Sequence, residues 1–451
     1  MKIRNREELT SHGYRQGRKL ALDIIEYALE KVDPYRATKA SVRLCGRTLM
    51  VGDYSFDLGK VENIYVVGAG KATFPIARAI EEILGERITE GIIAVKDNQK
   101  RPLKRITVEE ASHPVPDERG LQVCRKVFEI AEKAGSKDIV FCLITGGSSA
   151  LCPCPVDGIP FSDKKIVHRL LVTSGADIME INTVRRHLSA IKGGRLTSRI
   201  LPATIINLTV SDVIGDDIDW NTDWTTADPT TLEDAVQVLK KYHLWEKIPD
   251  SVRTYLSEPS PEKETPKDFT GKPLYSHMVV KSRTLCEAAA EKVRDMGLTP
   301  HLLSTSFGCE SREAGRFLAS IAREVKLTGN PFRPPCVLIA GGENVVAVDA
   351  SVQGFGGPNQ ELAASAALEL KDFDTIVVCA MDSDGTDGPT PFAGAMADSS
   401  TWRTATEKGF DVFRTLIDHN VTPMLKETGD LIDAGADTGT NVNDLVLCII
   451  H

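Results

Sequence analysis

Short apolar runs of strand length alternate with helical patterns along most of the chain. The runs NIYVVGAG and DIVFCLITGG each lead into a helical pattern, and PCVLIAGGENVV and TIVVCAMDSDG repeat the arrangement further on. Apolar runs without polar alternation are typical of strands that are buried on both faces of a parallel sheet, with helices as the crossovers. We therefore predict an α/β protein.

The alternating pattern weakens once, between about residues 240 and 272, where SEPSPEKETPKDFTGKPL is rich in Pro, Glu, Lys and Ser. A chain of 451 residues is long enough for two or three domains. We predict a first domain over 1–245, a Rossmann-like α/β/α sandwich with a mostly parallel sheet, a linker region at 246–272, and a second α/β domain over 273–451 that the strand HMVVKS opens. Residues 7–33 are predicted to form one amphipathic helix. The cleft between the two domains is the expected small-molecule site.

Composition narrows the class of protein. The chain is 42% hydrophobic and 26% charged, with a formal net charge of -9, which disfavours binding to nucleic acid or to an anionic membrane surface. Its ten cysteines include no CxxC pair, and its charged first residues have no apolar core of signal-peptide length. We expect a cytoplasmic protein with small-molecule substrates and no nucleic-acid or membrane partner. The sequence leaves a homo-oligomeric state open.

The turn GAGKAT follows the first long apolar run. Gly68 and Gly70 are expected to let backbone N–H groups approach an anion. Thr73 stands where the dinucleotide fingerprint G-x-G-x-x-G needs its third glycine. Lys71 favours phosphoryl transfer, since that reaction needs a fixed cation beside the moving group. The alternative is a tight turn with an exposed lysine.

Two further segments offer groups that bind anions. The loop TGGSS follows a strand and resembles an anion nest, whereas Ala150 disfavours a hydrolase elbow. The segment INTVRRHLSAIKGGRL is basic, and helical spacing would place its cations near one another, either gripping a carboxylate or phosphate or forming a solvated helix face. The predicted binding residues are Thr145, Gly146, Gly147, Ser148, Ser149, Arg185, Lys192 and Arg195.

Acidic and amide side chains cluster after other strands. Asp212 is placed to accept a hydroxyl proton or to hold magnesium, or else it belongs to an acidic turn that caps a helix. Asp384 and Asp387 in DSDGTDG are predicted magnesium ligands, with hydrogen-bonded turn residues as the alternative. Loops that are expected to line the same cleft contain Gly341, Gly342, Glu343, Asn359, Gln360, Glu361, Thr440 and Asn441.

Taken in chain order, these stretches resemble the glycerate kinase type-2 family, whose second half is a MOFRL domain. The similar segments are VVGAGKAT, ASHPVPDERG, ITGGSSAL, INTVRRHLSAIKGGRL, VSDVIGDD, GGENVV, PNQEL, DGTDGPT and GTNVND. The resemblance implies ATP-dependent phosphorylation of D-glycerate to 2-phosphoglycerate with magnesium or another divalent cation. It also implies that Lys71 stabilises the transferring phosphoryl group and that Asp212 acts as base or orienter of the substrate hydroxyl.

The sequence departs from the family pattern where Trp220 and Trp224 replace a loop of small residues, and where Pro358 replaces an arginine. The tryptophans are expected to reshape a substrate pocket, and the lost guanidinium removes a phosphate contact. A kinase for another sugar acid, such as a four-carbon aldonate, therefore stays open as an alternative. A hydroxypyruvate reductase or a non-catalytic binding relative is a further alternative.

Overall fold

The computed structural model describes residues 2–348, 354–435 and 437–451, which divide into two compact units. The N-terminal unit comprises Tyr35–Val210 and Asp217–Val279. The C-terminal unit comprises the described residues of Met1–Pro34, Ser211–Asp216 and Val280–His451.

Helices and strands alternate through most of the chain, as the apolar pattern predicts. The helices are α1 (Arg6–Leu9), α2 (Arg15–Lys31), α3 (Pro34–Ser41), α4 (Thr73–Leu84), α5 (Glu118–Lys133), α6 (Ser148–Leu151), α7 (Phe161–Val172), α8 (Ile178–His187), α9 (Arg195–Ile200), α10 (Ile218–Asn221), α11 (Leu232–Lys241), α12 (Asp250–Ser257), α13 (Arg283–Asp295), α14 (Ser311–Thr328), α15 (Pro358–Glu369), α16 (Ser399–Glu407), α17 (Val412–Ile417) and α18 (Val421–Thr428). The strands are β1 (Val42–Cys45), β2 (Thr48–Val51), β3 (Tyr54–Asp57), β4 (Ile64–Ala69), β5 (Ile88–Lys96), β6 (Ile106–Ala111), β7 (Ile139–Ile144), β8 (Thr204–Val210), β9 (Leu274–Val280), β10 (Thr299–Phe307), β11 (Cys336–Gly342), β12 (Ile376–Asp382), β13 (Gly394–Ala397), β14 (Leu431–Ile432) and β15 (Asp444–Ile450).

The sheet of the N-terminal unit has the strand order β6-β5-β4-β7-β8-β9, and the pairs from β6 to β8 are parallel. Every residue of β4 and of β7 is buried, because helices cover both faces. Helices α5 and α9 pack on one face, where Val67 and Cys142 belong to their core. Helix α4 contacts β4, β5 and β7, and the small antiparallel sheet β1-β2-β3 packs beside it.

A second core in the N-terminal unit is built only from helices and their loops. Leucine, isoleucine and valine side chains of α7, α8, α11 and α12 form this cluster, for example Leu171, Val184 and Leu239. It forms a helical lobe within the unit, and the sequence analysis did not separate it from the sheet. The lobe matters here because α7 and α8 carry several of the basic residues described below.

The sheet of the C-terminal unit is mixed, with the order β10-β11-β15-β12-β13-β14. Only β10 and β11 are parallel, and the other pairs are antiparallel. Alternate residues of β11, β12 and β15 pack against α14 and α15, while α2 and α13 contact the sheet through other positions. The prediction of two α/β regions, the first with a mostly parallel sheet, is confirmed.

Three local predictions need correction. The amphipathic pattern of residues 7–33 forms two helices, because Gly13 has a left-handed backbone with φ of +62° between α1 and α2. The strand HMVVKS, expected to open the second domain, is β9 at the edge of the first sheet. The predicted linker at 246–272 contains α12, and the described residues up to Pro34 group with the C-terminal unit. Among the described residues, no helix combines the length and the apolar character that a membrane span requires.

Candidate functional site

The turn after β4 and the loop after β7 meet in the N-terminal unit. Gly70 has φ of +144°, and a Cβ atom there would lie 2.0 Å from Thr145 Oγ1, so no other residue fits. The amide of Lys71 donates to the carbonyl of Gly146 at 2.8 Å, and the amide of Ala72 donates to Thr145 Oγ1 at 3.2 Å. Two segments that are 73 residues apart in the sequence, counted from Ala72 to Thr145, thereby form one structure at the end of the parallel sheet.

Gly68 and Gly70 have a different role from the expected one of letting backbone amides approach an anion. Gly68 lies inside β4, where a Cβ atom would be 2.2 Å from the carbonyl oxygen of Leu143. The amide of Gly70 donates to the carbonyl of Ala94 at 3.2 Å. Since the amides of residues 70 to 72 are used internally, this turn is a packing element and not the expected backbone cradle for an anion.

The loop after β7 keeps backbone donors available. Within the described residues, the amides of Gly146, Gly147 and Ser149 donate to no other group. Gly147 is left-handed, with φ of +88°, and a Cβ atom there would lie 3.3 Å from Lys71 Cγ. The aliphatic part of Lys71 therefore lies against this loop. Thr145 and Ser148 are buried, and Thr145 supports the first turn through its hydroxyl.

A cavity of about 340 Å³ opens beside this loop, within the N-terminal unit. Gly147 and Ser149 line it on the sheet side, and apolar side chains of the helical lobe, including Val167 and Leu171, line it on the other. Its wall carries four cationic side chains and two histidines, which are Lys164, Lys165, Arg185, Lys192, His113 and His168. No Asp or Glu is among the described residues that line it. The cavity is therefore suited to an anionic ligand.

Burial perturbs the titration of these groups. It lowers the pKa of Lys164 to about 7 and also lowers the pKa of Lys192, whose Nζ lies 2.5 Å from Asp223 Oδ2. Burial, then the charge of Arg185, lowers the pKa of His168 to about 4. A neutral His168 can accept the hydrogen bond from Arg185 Nη2 to Nδ1 at 2.9 Å. Depressed pKa values of grouped bases are common at ligand sites.

Sequence reasoning found part of this site. Arg185, Lys192, Gly147 and Ser149 were predicted, and they line the cavity. Lys164, Lys165, His113 and His168 were missed. Lys164 and His168 are four residues apart on α7, so they share a helix face, and that spacing was the available signal.

The third predicted basic residue lies elsewhere. Helix α8 ends at His187 and α9 begins at Arg195, so the expected helical spacing between Lys192 and Arg195 does not exist. Two left-handed glycines, Gly193 and Gly194, separate the helices. Arg195 Nη2 donates to the carbonyl of Lys263 at 2.6 Å, and Arg195 is not among the cavity-lining residues.

Asp212 lies in the C-terminal unit, just after β8. Its Oδ2 accepts a hydrogen bond from Asn441 Nδ2 at 3.0 Å, so two predicted site residues meet. The segment around Asn441 is fixed in turn, because the amide of Val442 donates to Ser383 Oγ at 2.8 Å. A nearby aspartate of the same acidic run, Asp216, accepts from Ser282 and supports the start of α13.

Several other predicted ligands of the C-terminal unit are engaged in internal contacts. Both carboxylate oxygens of Asp387 accept hydrogen bonds from the start of α15, from the backbone amides of Asn359 and Gln360 at 3.0 and 2.9 Å. Burial raises the pKa of Asp387 to about 6. Thr440 Oγ1 donates to the carbonyl of Val32 at 2.9 Å. These residues hold the fold together, which differs from the predicted roles as magnesium ligand and substrate contact.

Most of the remaining predicted groups also make internal contacts. Gly341 and Gly342 lie in β11, and Gly342 has φ of +145° with Phe307 against it. Glu361 Oε1 lies 2.9 Å from His419 Nδ1, whereas Glu343 is exposed. Asp384 Oδ1 accepts from the amide and hydroxyl of Thr386, which is a turn contact. Among the described residues, no group of three or more His, Cys, Asp or Glu side chains could hold a metal ion.

The two unusual tryptophans differ from expectation. Trp224 has no exposed surface and packs in the core with the parallel sheet, so it cannot contact a ligand in this conformation. Trp220 is half-buried and stacks on the guanidinium of Arg186, 5.0 Å from the ring centroid. Pro358 is the first residue of α15, a position that favours proline because its missing N–H is not needed there.

Comparison with known proteins agrees with these motifs. Residues 20–257 match a domain family of unknown function, DUF4147, and residues 336–444 match the MOFRL family. A Pyrococcus horikoshii protein named glycerate 2-kinase is 40% identical, covering 96% of this chain and 97% of that protein. An Agrobacterium vitis protein named putative hydroxypyruvate reductase is 38% identical, covering 85% of this chain and 86% of that protein.

A solved structure extends the similarity to the fold. The crystal structure of glycerate kinase from Thermotoga maritima is 37% identical, with a TM-score of 0.81 over 96% of this chain and 99% of that one. Similarity in sequence and in fold thus covers nearly the whole chain. The chain belongs to the glycerate kinase type-2 family of phosphotransferases, in which a MOFRL domain follows a DUF4147 domain.

Proposed function

We propose that this protein phosphorylates D-glycerate at its 2-hydroxyl, with ATP as the donor. The observation that carries the proposal is the 40% identity, over 96% of the chain, to a protein named glycerate 2-kinase. The basic cavity of the N-terminal unit supports it, because both an acid substrate and a nucleotide bring negative charge. Lys71, whose stem lies against the loop that lines this cavity, supports it further.

In the proposed reaction, Asp212 accepts or orients the proton of the substrate hydroxyl. The hydrogen bond from Asn441 holds one carboxylate oxygen of Asp212 in place, and a carboxylate is the kind of group that accepts or orients a hydroxyl proton. Lys71 stabilises the negative charge on the transferring phosphoryl group, since positioning and electrostatics supply most of the catalysis in such reactions. Arg185 and Lys192 bind substrate oxyanions.

A divalent cation is part of the proposal as the partner of ATP. Magnesium is usually held by substrate phosphates, water and only one or two carboxylates, so it does not require a preformed cage. Asp384 stays the proposed protein ligand, while Asp387 does not fit because both its oxygens hold the start of α15. When bound, the cation would neutralise phosphate charge.

The direct test is an assay of ADP release with ATP, magnesium and a panel of hydroxy acids. We expect D-glycerate to drive ADP release, and ³¹P NMR of the product to identify the phosphate at the 2-position. Faster turnover of a four-carbon aldonate would replace the substrate and keep the reaction class. No ADP with any acid, together with NADH-dependent reduction of hydroxypyruvate, would replace the kinase by the reductase that the Agrobacterium relative's name suggests.

Two variants test the assigned roles. Lys71→Ala and Asp212→Asn should each lower kcat by roughly 100-fold or more while unfolding like the wild type. Lys60→Ala and Asp219→Asn are matched controls, because both residues are exposed and lie near the respective positions in the sequence. A rate near that of the wild type in either test variant would remove that residue from the mechanism.

A further inference from the structure

The charge balance of the cavity in the N-terminal unit is unusual. Four cationic side chains line it, and the described lining residues include no carboxylate. Lys192 has a partner in Asp223 just outside the lining. Removing cations from water without an opposite charge is costly, and a bound anion would offset that cost.

Lys164 is held in the cavity wall without a carboxylate partner among the described residues. Its Nζ donates to the carbonyls of Pro153 at 2.6 Å and Cys154 at 2.9 Å. These contacts fix the ammonium in position without neutralising it, because a carbonyl has no net charge. An ammonium has three donors, and no third acceptor for Lys164 occurs among the described residues.

A neighbouring cation is also incompletely bonded. Arg185 Nε is buried and has no hydrogen-bond partner in the described part of the chain. Among the described residues, the acceptor that its Nη2 contacts is a neutral one, His168 Nδ1. Two cavity-lining cations, one from α7 and one from α8, therefore have only neutral hydrogen-bond partners among the described residues, in a cavity whose described lining includes no carboxylate. Two donor groups of this kind match an oxyanion, whose several acceptor sites take charged hydrogen bonds.

We propose that Lys164, together with Arg185, binds one oxyanion of a substrate in this cavity, either a carboxylate or a phosphate. Lys164 thereby determines which anions the protein accepts, although none of the family-like segments contains it. The inference deepens the proposed kinase function, but the binding itself needs no turnover. A failure to release ADP would overturn the kinase proposal and leave the binding result intact.

The test measures binding of three probes separately, D-glycerate, inorganic phosphate and ATP, to the wild type and to Lys164→Met by calorimetry. We expect the variant to lose roughly 10- to 100-fold in affinity for at least one probe, the range of one charged hydrogen bond. A loss confined to D-glycerate identifies the oxyanion as the carboxylate. A loss confined to phosphate and ATP identifies it as a phosphate.

Arg169→Met is the matched control, because Arg169 is exposed on the same helix and does not line the cavity. Its affinities should stay within about twofold of the wild type, as expected of a surface change. Unchanged affinity of a folded Lys164→Met for all three probes would overturn the proposal. So would the absence of detectable binding of all three probes to the wild type.

A second measurement needs no variant and covers the case in which Lys164→Met does not fold. Acetic anhydride labels amines, and mass spectrometry reports the rate at each lysine. A saturating probe that binds the wild type should slow the labelling of Lys164 by roughly tenfold, because a bound oxyanion holds the amine protonated and covers it. Lys133, an exposed lysine on α5, should be labelled at an unchanged rate. Equal labelling of Lys164 with and without probe would count against the inference.

Discussion

Two groups of buried or half-buried cations in this protein have opposite kinds of hydrogen-bond partner, charged in one group and neutral in the other. In the C-terminal unit, Arg18 has no exposed surface, and its guanidinium contacts Asp398 and Asp430, each at 2.7 Å. In the cavity of the N-terminal unit, the half-buried Lys164 and Arg185 have only neutral hydrogen-bond partners among the described residues. A buried charge that the chain neutralises itself contributes to the fold, whereas one left without an opposite charge indicates a ligand.

The contrast between cations with a charged partner and cations with neutral partners also separates two adjacent residues, Arg186 and Arg185. Arg186 is buried, bonds to Asp228 Oδ1 at 3.3 Å and stacks on Trp220. Arg185 points to the cavity and keeps an unpartnered Nε among the described residues. The sequence RR gives no reason to separate them. The following predictions test this division between structural and ligand-binding cations, from the largest expected effect to the smallest.

The largest effect is expected from Arg18→Met. Removing the guanidinium leaves Asp398 and Asp430 buried without a counter-charge, so the free energy of unfolding should fall by about 3–5 kcal/mol. Urea unfolding measures it, with Lys19→Met as the control on the exposed side of α2. A loss no greater than that of the control would show that the Arg18 cluster contributes little.

The second prediction concerns acid stability. Burial alone would raise the pKa of Asp398, but Arg18 and further hydrogen bonds lower it from 3.8 to about 2. A carboxyl with a depressed pKa stabilises the fold above its unfolded value and loses that contribution as the pH falls through the folded value. Between about pH 5 and pH 2 the wild type should therefore lose about 2 kcal/mol of unfolding free energy through this residue. Arg18→Met should show a flatter profile by urea unfolding at each pH, and parallel profiles would contradict the assignment.

The third prediction is that a substitution in the cavity wall, Lys164→Met, raises the free energy of unfolding. The pKa of Lys164 is about 7 in the fold, below its ordinary 10.5, so the unfolded chain binds more protons between these values. Ligand-free Lys164→Met should accordingly exceed the wild type in unfolding free energy by on the order of 1 kcal/mol below pH 7, with the gain vanishing near pH 10. Thermal unfolding across this range in the absence of anions checks it. A destabilised variant at every pH would mean that Lys164 stabilises the fold.

The smallest effect is expected at Trp220. Trp220→Leu removes the ring over Arg186 and should cost about 0.5–1 kcal/mol of unfolding free energy, the usual value of a partly exposed cation–π contact. Trp220→Phe keeps an aromatic ring and should retain part of that stabilising free energy. Because Arg186 is on the structural side of the comparison, neither change should alter the affinity for the three probes. A weakened probe affinity would move Arg186 to the ligand-binding group.

The sequence predicted the kinds of chemical group in the site better than it predicted which residues line it. The loop TGGSS and the cations Arg185 and Lys192 were found from their residue types, and they line one cavity. The amides of the GAGKAT turn and the carboxylate of Asp387 were assigned to ligands, yet internal hydrogen bonds use them. Glycine, aspartate and asparagine serve turns and ligands equally well, so a local pattern cannot separate the two uses.

What the sequence determined by itself is the α/β class and the family, because apolar periodicity and ordered motifs are local properties of the chain. What only the tertiary structure decided is which polar groups keep unused hydrogen-bonding capacity. Lys164 lies on a helix with an ordinary pattern, and Trp224, which the sequence predicts to border a substrate pocket, lies in the core. Burial and partners come from residues far apart in the chain, and the free energy of a buried polar group depends on those partners.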